Sequence, residues 1–223
     1  MSAHEHHGMK PLEGMSAYCV RGHYDTKQRD DRFGRLFQEL SPAYTDPAVL
    51  QAIGAKNGPM DGKSANDRTD SVPVGMVFFG QFVDHDITLD ASTSFDSVVD
   101  NPGEIANVRT PTLDLDCIYG LGPEAQPYLY VQGGAFGGAK LLTGADNPGQ
   151  AGIPASDLLR SPNGRAIIGD PRNDENMLIS QLHLAFMKFH NVVFERSGRD
   201  FEAAQTEVRW HYQWIVLNEF LRL

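Results

Sequence analysis

At 223 residues, 41% hydrophobic and 22% charged, the chain has room for one domain or two small ones and the make-up of an ordinary globular protein. Its 19 Lys and Arg against 29 Asp and Glu leave a formal charge of −10, which argues against nucleic acid or an anionic membrane as partner and suits cation binding. Two cysteines, Cys19 and Cys117, without CxxC spacing argue against a disulfide framework, zinc or thiol redox chemistry and leave open one bridge between them.

Residues 1–25 hold His4, His6, His7 and His23 in a polar stretch without helical or strand period, so they read as a disordered or extended tail rather than a metal-binding arm. MSAHEHHGMK has no apolar leader core, and no run reaches the roughly eighteen apolar residues that span a bilayer. A soluble chain follows, cytoplasmic by default with secretion as the alternative. In DDRFGRLFQELSPAY, the residues Phe33, Leu36, Phe37 and Leu40 make a short amphipathic turn closed by Pro42, suggesting a segment that docks on a larger body. Residues 41–72 read as loop with one short helix near Ala48 to Ile53.

Gly75 to Asp90, GMVFFGQFVDHDITLD, is the stretch around which the rest is organised. As a helix it sets Phe78, Gln81, Phe82 and His85 on one face, at i, i+3, i+4 and i+7. Asp84 and Asp86 then flank His85 about 200° apart, so the two carboxylates serve different surroundings. Taken alone, such a histidine is more often a satisfied core residue than a base or ligand. RTPTLDLDCIYG follows, then the Gly-rich QGGAFGGAKLLTG, read as loop or hairpin.

At Asp170 the pattern turns helical, with Asp170 as cap, Pro171 in the first turn, and Leu178, Leu182, Phe186, Phe189 and Val193 as the buried stripe. Asp200 caps a last helix, FEAAQTEVRWHYQWIVLNEFLRL. A mainly α-helical protein with long ordered loops is the fold expected, and its ending inside an apolar helix suggests a folding unit that continues elsewhere.

GQFVDHD at 80–86, TPTLDLD at 110–116 and GDPRNDE at 169–175 stand in the order and at the separations found in animal-type haem peroxidases. With RFGRLFQEL upstream and LHLAFMKFHN and WHYQWIVLNEFL downstream, nearly all of residues 30–221 resembles that peroxidase and cyclooxygenase superfamily, its bacterial branch above all. The resemblance implies an animal haem peroxidase-like helical fold and a haem b cofactor. His85 matches the distal histidine that moves the peroxide proton, Arg172 the distal arginine, and Gln81 the glutamine of the distal water and halide site. Asp84 and Glu175 match the positions that form ester links to haem, so cofactor binding would involve Asp84, His85, Arg172 and Glu175.

Asp86 with Thr110, Thr112, Asp114 and Asp116 matches the family's Ca²⁺ site; an EF-hand is ruled out because its Gly and Glu positions are missing. Asn176 stands where some members carry a methionine that makes a sulfonium link to haem. Bromide, iodide, thiocyanate or small phenols are therefore favoured over chloride as reductants of the peroxidase cycle.

The family's proximal histidine falls after the stretch matching WHYQWIVLNEFL. Residues 26–223 thus resemble only the distal, N-terminal half of the catalytic domain. A second polypeptide supplying that ligand, or a truncated product, is implied. His183, His190 and His211 read as scaffold residues. The alternatives are a fatty-acid dioxygenase of the same superfamily and a non-catalytic calcium-binding remnant.

Overall fold

The computed structural model describes residues 32–41, 43–61, 71–90, 102–110, 112–133, 138–146, 156–198 and 200–223. Expectations for the tail at 1–25 and for Cys19 lie outside these residues. The described chain is mainly helical, as the sequence leads one to expect, and its β-pairing is limited to isolated bridges such as Tyr130 with Leu141 and Thr143 with Leu158.

Helix α1, Pro47–Gly54, is the short helix expected near 48–53, opened by the Asp46 carboxylate accepting from Ala48 N at 2.8 Å. The apolar stripe of the preceding segment is largely open among the described residues. Leu36, Phe37 and Leu40 are exposed, and contact with the body runs through main-chain pairing of Phe33 N to Ile105 O at 3.1 Å.

Helix α2, Val74–Ile87, runs into the centre of the molecule. Its buried face carries Phe79, Phe82, Val83, His85 and Asp86, while Phe78 and Gln81 are half-buried, so the burial stripe is turned slightly from the expected one. Phe82 sets the rotation of the helix. Its ring stacks on Phe186 at 5.0 Å between centroids and meets Tyr212 edge-on at 6.0 Å.

Helices α5, Met177–Arg196, and α6, Phe201–Ile215, form an antiparallel pair joined by a four-residue link, with Asp200 capping α6 by accepting from Ala203 N at 3.1 Å. The last helical turn widens into a π-turn over Val216–Phe220 instead of continuing as α-helix. The short helix α3 (Asp116–Tyr119) packs against α5, and α4 (Gly122–Ala125) follows it in the chain.

Two expectations for α5 are corrected. The helix does not start at Pro171: residues Pro171–Asp174 form a separate 3-10 turn capped by Asp170, and Asn176, at φ −148° and ψ 163°, opens α5 afresh by accepting from Leu178 N and Ile179 N. Two capping side chains six residues apart each stop the chain and restart it. The buried stripe is also rotated, because Leu178 is exposed while Ile179, His183, Phe186, Met187, His190 and Phe194 face the core.

His190 is a satisfied core residue. Its Nε2–H donates to Ala139 O at 2.9 Å and its Nδ1 accepts from the Tyr119 hydroxyl at 3.1 Å. Burial pushes its pKa down to about 4, so it stays neutral.

Gly169 marks the closest approach of two segments. A Cβ built there would overlap the main-chain carbonyl of Cys117, which cannot swing aside as a side chain would. Gly169→Ala is therefore expected to destabilise the fold by about 1–3 kcal/mol or more, read as a lower midpoint in urea with an unchanged slope.

Candidate functional site

The C-terminal end of α2, the 3-10 turn at Pro171–Asp174 and the loop before α3 converge, and this junction brings most of the expected site residues together. His85 is buried at 5% exposure. Its Nδ1 lies 2.8 Å from Asn173 Oδ1, and among the described residues nothing takes Nε2. One turn earlier, Gln81 Nε2 donates to Glu175 Oε2 at 3.0 Å. Asp84 points the other way from Asp86, as the helix angle demands, and is exposed, accepting from Thr88 Oγ1 at 3.1 Å.

Arg172 works differently from the helix-dipole role that a continuous helix would have given it. A four-residue 3-10 turn has little macrodipole of its own, and the guanidinium instead clamps the end of α2. Nη2 donates to Thr88 O at 2.6 Å, to His85 O at 3.1 Å and to Asp170 Oδ2 at 2.7 Å, and Nε donates to Asp170 Oδ1 at 3.1 Å. A cation on the last carbonyls of a helix is favourable both as a cap and against the dipole. Nη1 carries no hydrogen bond among the described residues.

Asp170 is the hub beneath this clamp. Fully buried, it also accepts from Arg109 Nε at 3.2 Å and Arg109 Nη2 at 2.5 Å. Burial alone would raise its pKa, but the bonds from Arg172 and the charge of Arg109 outweigh burial and hold it at about 2.

The acidic loop lies on the far side of His85. Asp86, Asp114 and Asp116 bring one carboxylate oxygen each within 4.8 Å of one another, the metal-capable group among the described residues. Leu115, at φ 60°, takes the left-handed conformation that folds Asp114 and Asp116 back toward Asp86. Leu115 N donates to Asp86 Oδ2 at 3.2 Å, and the other oxygen of each acid, Asp86 Oδ1, Asp114 Oδ1 and Asp116 Oδ1, is buried without a hydrogen bond. Asp116 Oδ1 does lie 3.4 Å from Arg109 Nη1, a charge contact lacking hydrogen-bond geometry.

Thr110 and Thr112 bear on this cluster through Asp114, both hydroxyls donating to its Oδ2, at 2.8 Å and 3.1 Å. Burial and the neighbouring Asp114 push Asp86 up to about 7. Burial also raises Asp116, against Arg109, to about 8. Three crowded carboxylates with spare lone pairs form an oxygen set that could hold a hard cation, and burial favours the protonated forms of Asp86 and Asp116.

No protein-family model, curated protein or solved structure matches this chain.

The residues missed by sequence reasoning are Arg109, Asn173 and, in part, Asp170. Arg109 immediately precedes the acidic motif, which is the one signal that a cation would brace it. Asp170 is visible only as a cap. Asn173 sits beside the arginine in GDPRNDE without any periodic or motif cue. His183 and His190 are buried scaffold as expected, and His211 is exposed with Nδ1 2.8 Å from Glu207 O.

Proposed function

We propose that this chain provides the distal side of a haem peroxidase that reduces hydrogen peroxide and oxidises a small donor. The observation that carries the reading is the junction itself: a buried imidazole with an untaken Nε2, a guanidinium fixed on the same helix end, and Gln81 bonded to Glu175 beside them. Haem, when bound, would supply the iron that receives the peroxide and stores its oxidising power. His85 Nε2 takes the proton of the inner peroxide oxygen and returns it to the outer oxygen, which departs as water. Arg172, through Nη1, would stabilise the charge that develops on the departing oxygen. Exposed Asp84 and Glu175 are free of ion pairs to Lys or Arg among the described residues, as carboxylates that reach haem methyl groups must be.

Calcium fits the second part of the site. Asp86, Asp114 and Asp116 would hold it through the oxygens that carry no hydrogen bond, with Thr110 and Thr112 completing an all-oxygen set. Since Asp86 follows His85 directly, the ion would hold the helix end that presents the base.

A ligand for the opposite face of haem is not offered by the described histidines, for His183 and His190 are in the core and His211 faces solvent. A second polypeptide that brings a histidine completes the reading. Imidazole added in solution can stand in for it. Chain, haem and imidazole together are expected to give a Soret band and peroxide-dependent guaiacol oxidation, and His85→Ala should lower that rate by roughly 10²–10⁴ while keeping the band. No Soret band would sink the proposal and favour the calcium-binding remnant; oxygen uptake with linoleate, without guaiacol turnover, would favour the dioxygenase.

A further inference from the structure

We propose that Asn173 is a positioning residue whose amide, itself held by His183, locks His85 in the tautomer that leaves Nε2 bare. The three side chains form one line. His85 Nδ1 is 2.8 Å from Asn173 Oδ1, and Asn173 Nδ2 is 3.0 Å from His183 Nδ1. Asn173 and His183 are both fully buried, so no water competes for the amide.

An amide oxygen only accepts and an amide nitrogen only donates. The first bond therefore puts the His85 proton on Nδ1 and leaves a lone pair at Nε2. The second leaves His183 Nδ1 bare and puts its proton on Nε2, the nitrogen that has no partner in the core.

Packing holds both ends of the line. His183 meets Phe82 edge-on at 6.4 Å, and Phe82 is itself stacked on Phe186. The Asn173 main chain is pinned by donation from its N to Asp170 O at 3.1 Å. Burial pushes the His183 pKa down to about 3, so the ring remains a neutral acceptor at any pH at which the chain is folded for work.

The consequence for chemistry rests on the reading of His85 as the proton acceptor. With its proton on Nε2 the imidazole would present a donor to peroxide and could not take a proton from it. In hydrolase triads the wrong histidine tautomer lowers the rate by about 10⁴.

Tautomers can be read without haem, by long-range proton–nitrogen correlation on the histidine-labelled chain at pH 8. The wild-type protein is expected to show His85 protonated at Nδ1 and His183 protonated at Nε2. Asn173→Asp, offering acceptors on both sides, should keep His85 as it is and turn His183 over to Nδ1–H. Asn173→Leu should let His85 populate the Nε2–H form. His190, bonded elsewhere, reports that each variant is folded.

A wild-type spectrum with the His85 proton on Nε2 overturns the proposal whatever the variants do, as does a His85 signal unmoved in folded Asn173→Leu. The two readings fail separately. The expected tautomers in a chain that never forms a Soret band would sink the peroxidase and leave the relay, whereas reversed tautomers in an active haem complex would sink the relay alone.

Discussion

Calcium is expected to raise the melting temperature of this chain by roughly 5–10 °C at pH 8 when present at about 100 times its dissociation constant, a concentration that corresponds to about 2.7 kcal/mol. The shift should depend on pH in a direction set by the acids. Asp86 and Asp116 have folded pKa values near 7 and 8, raised from 3.8, so their protonated forms stabilise the metal-free fold. That contribution is complete below about pH 4 and is lost as pH climbs through 7 and 8. Metal-free protein therefore loses stability between pH 5 and pH 8 through this pair. Calcium needs the carboxylates ionised and must displace those protons at pH 5, so its effect is larger at pH 8.

Magnesium, which keeps its waters and prefers a smaller octahedral site, should shift the melt less. Asp86→Asn should raise the metal-free melting temperature at pH 8 and abolish the response to calcium. Calorimetry in EDTA and in calcium checks all three, and a calcium response absent at pH 8 would remove the ion from the site.

How much of this was legible depends on whether a residue's role is local. The opposed directions of Asp84 and Asp86 follow from 100° per residue, and burial of one with exposure of the other agrees. The caps at Asp170 and Asp200 act on amides two or three residues away and were readable for the same reason. The acidic loop was readable as a set of oxygens, but its convergence depends on Leu115 in a left-handed conformation, which no leucine announces.

What stayed hidden is long-range. Arg109 reaches Asp170 across sixty-one positions, and Arg172 reaches Thr88 across eighty-four. Asn176 appeared as a helix-compatible residue within an apolar pattern, yet its side chain accepts from two main-chain amides and resets the chain. That reset moves the buried stripe of α5 and puts the histidine pair at its centre. Leu36, Phe37 and Leu40 show the opposite failure, where an amphipathic spacing has no complementary surface among the described residues.

Replacing Asp170 by Asn is expected to be the most damaging single change at this junction, at about 3–5 kcal/mol, or roughly 10 °C in melting temperature. The carboxylate is fully buried and faces two guanidinium groups; without its charge, the carboxyl left beside Arg109, only 8% exposed, among the described residues is Asp116, whose own burial favours its protonated form. The Asn side chain can still accept from Arg172 N, so the cap survives and the loss is electrostatic.

Sign and pH window separate this from other causes. Asp170 has its pKa lowered to about 2, so its contribution is present above the unfolded value near 3.9 and disappears only as pH falls through 2. His183 and His190, lowered to about 3 and 4 by burial, contribute stability present above 6.5 and lost as pH falls toward those values. Wild-type and variant should therefore run parallel from pH 6.5 to pH 4, where the losses at the two histidines are opposed by the gain from Asp86 and Asp116, with the gap between them constant, and converge only below pH 4. Urea melts at pH 8, 6, 4 and 2.5 in EDTA would show it. A gap under 1 kcal/mol at pH 7, or one already closed at pH 6, would mean that the two arginines find other acceptors and that the α2 end, with His85 on it, is held by something other than this buried acid.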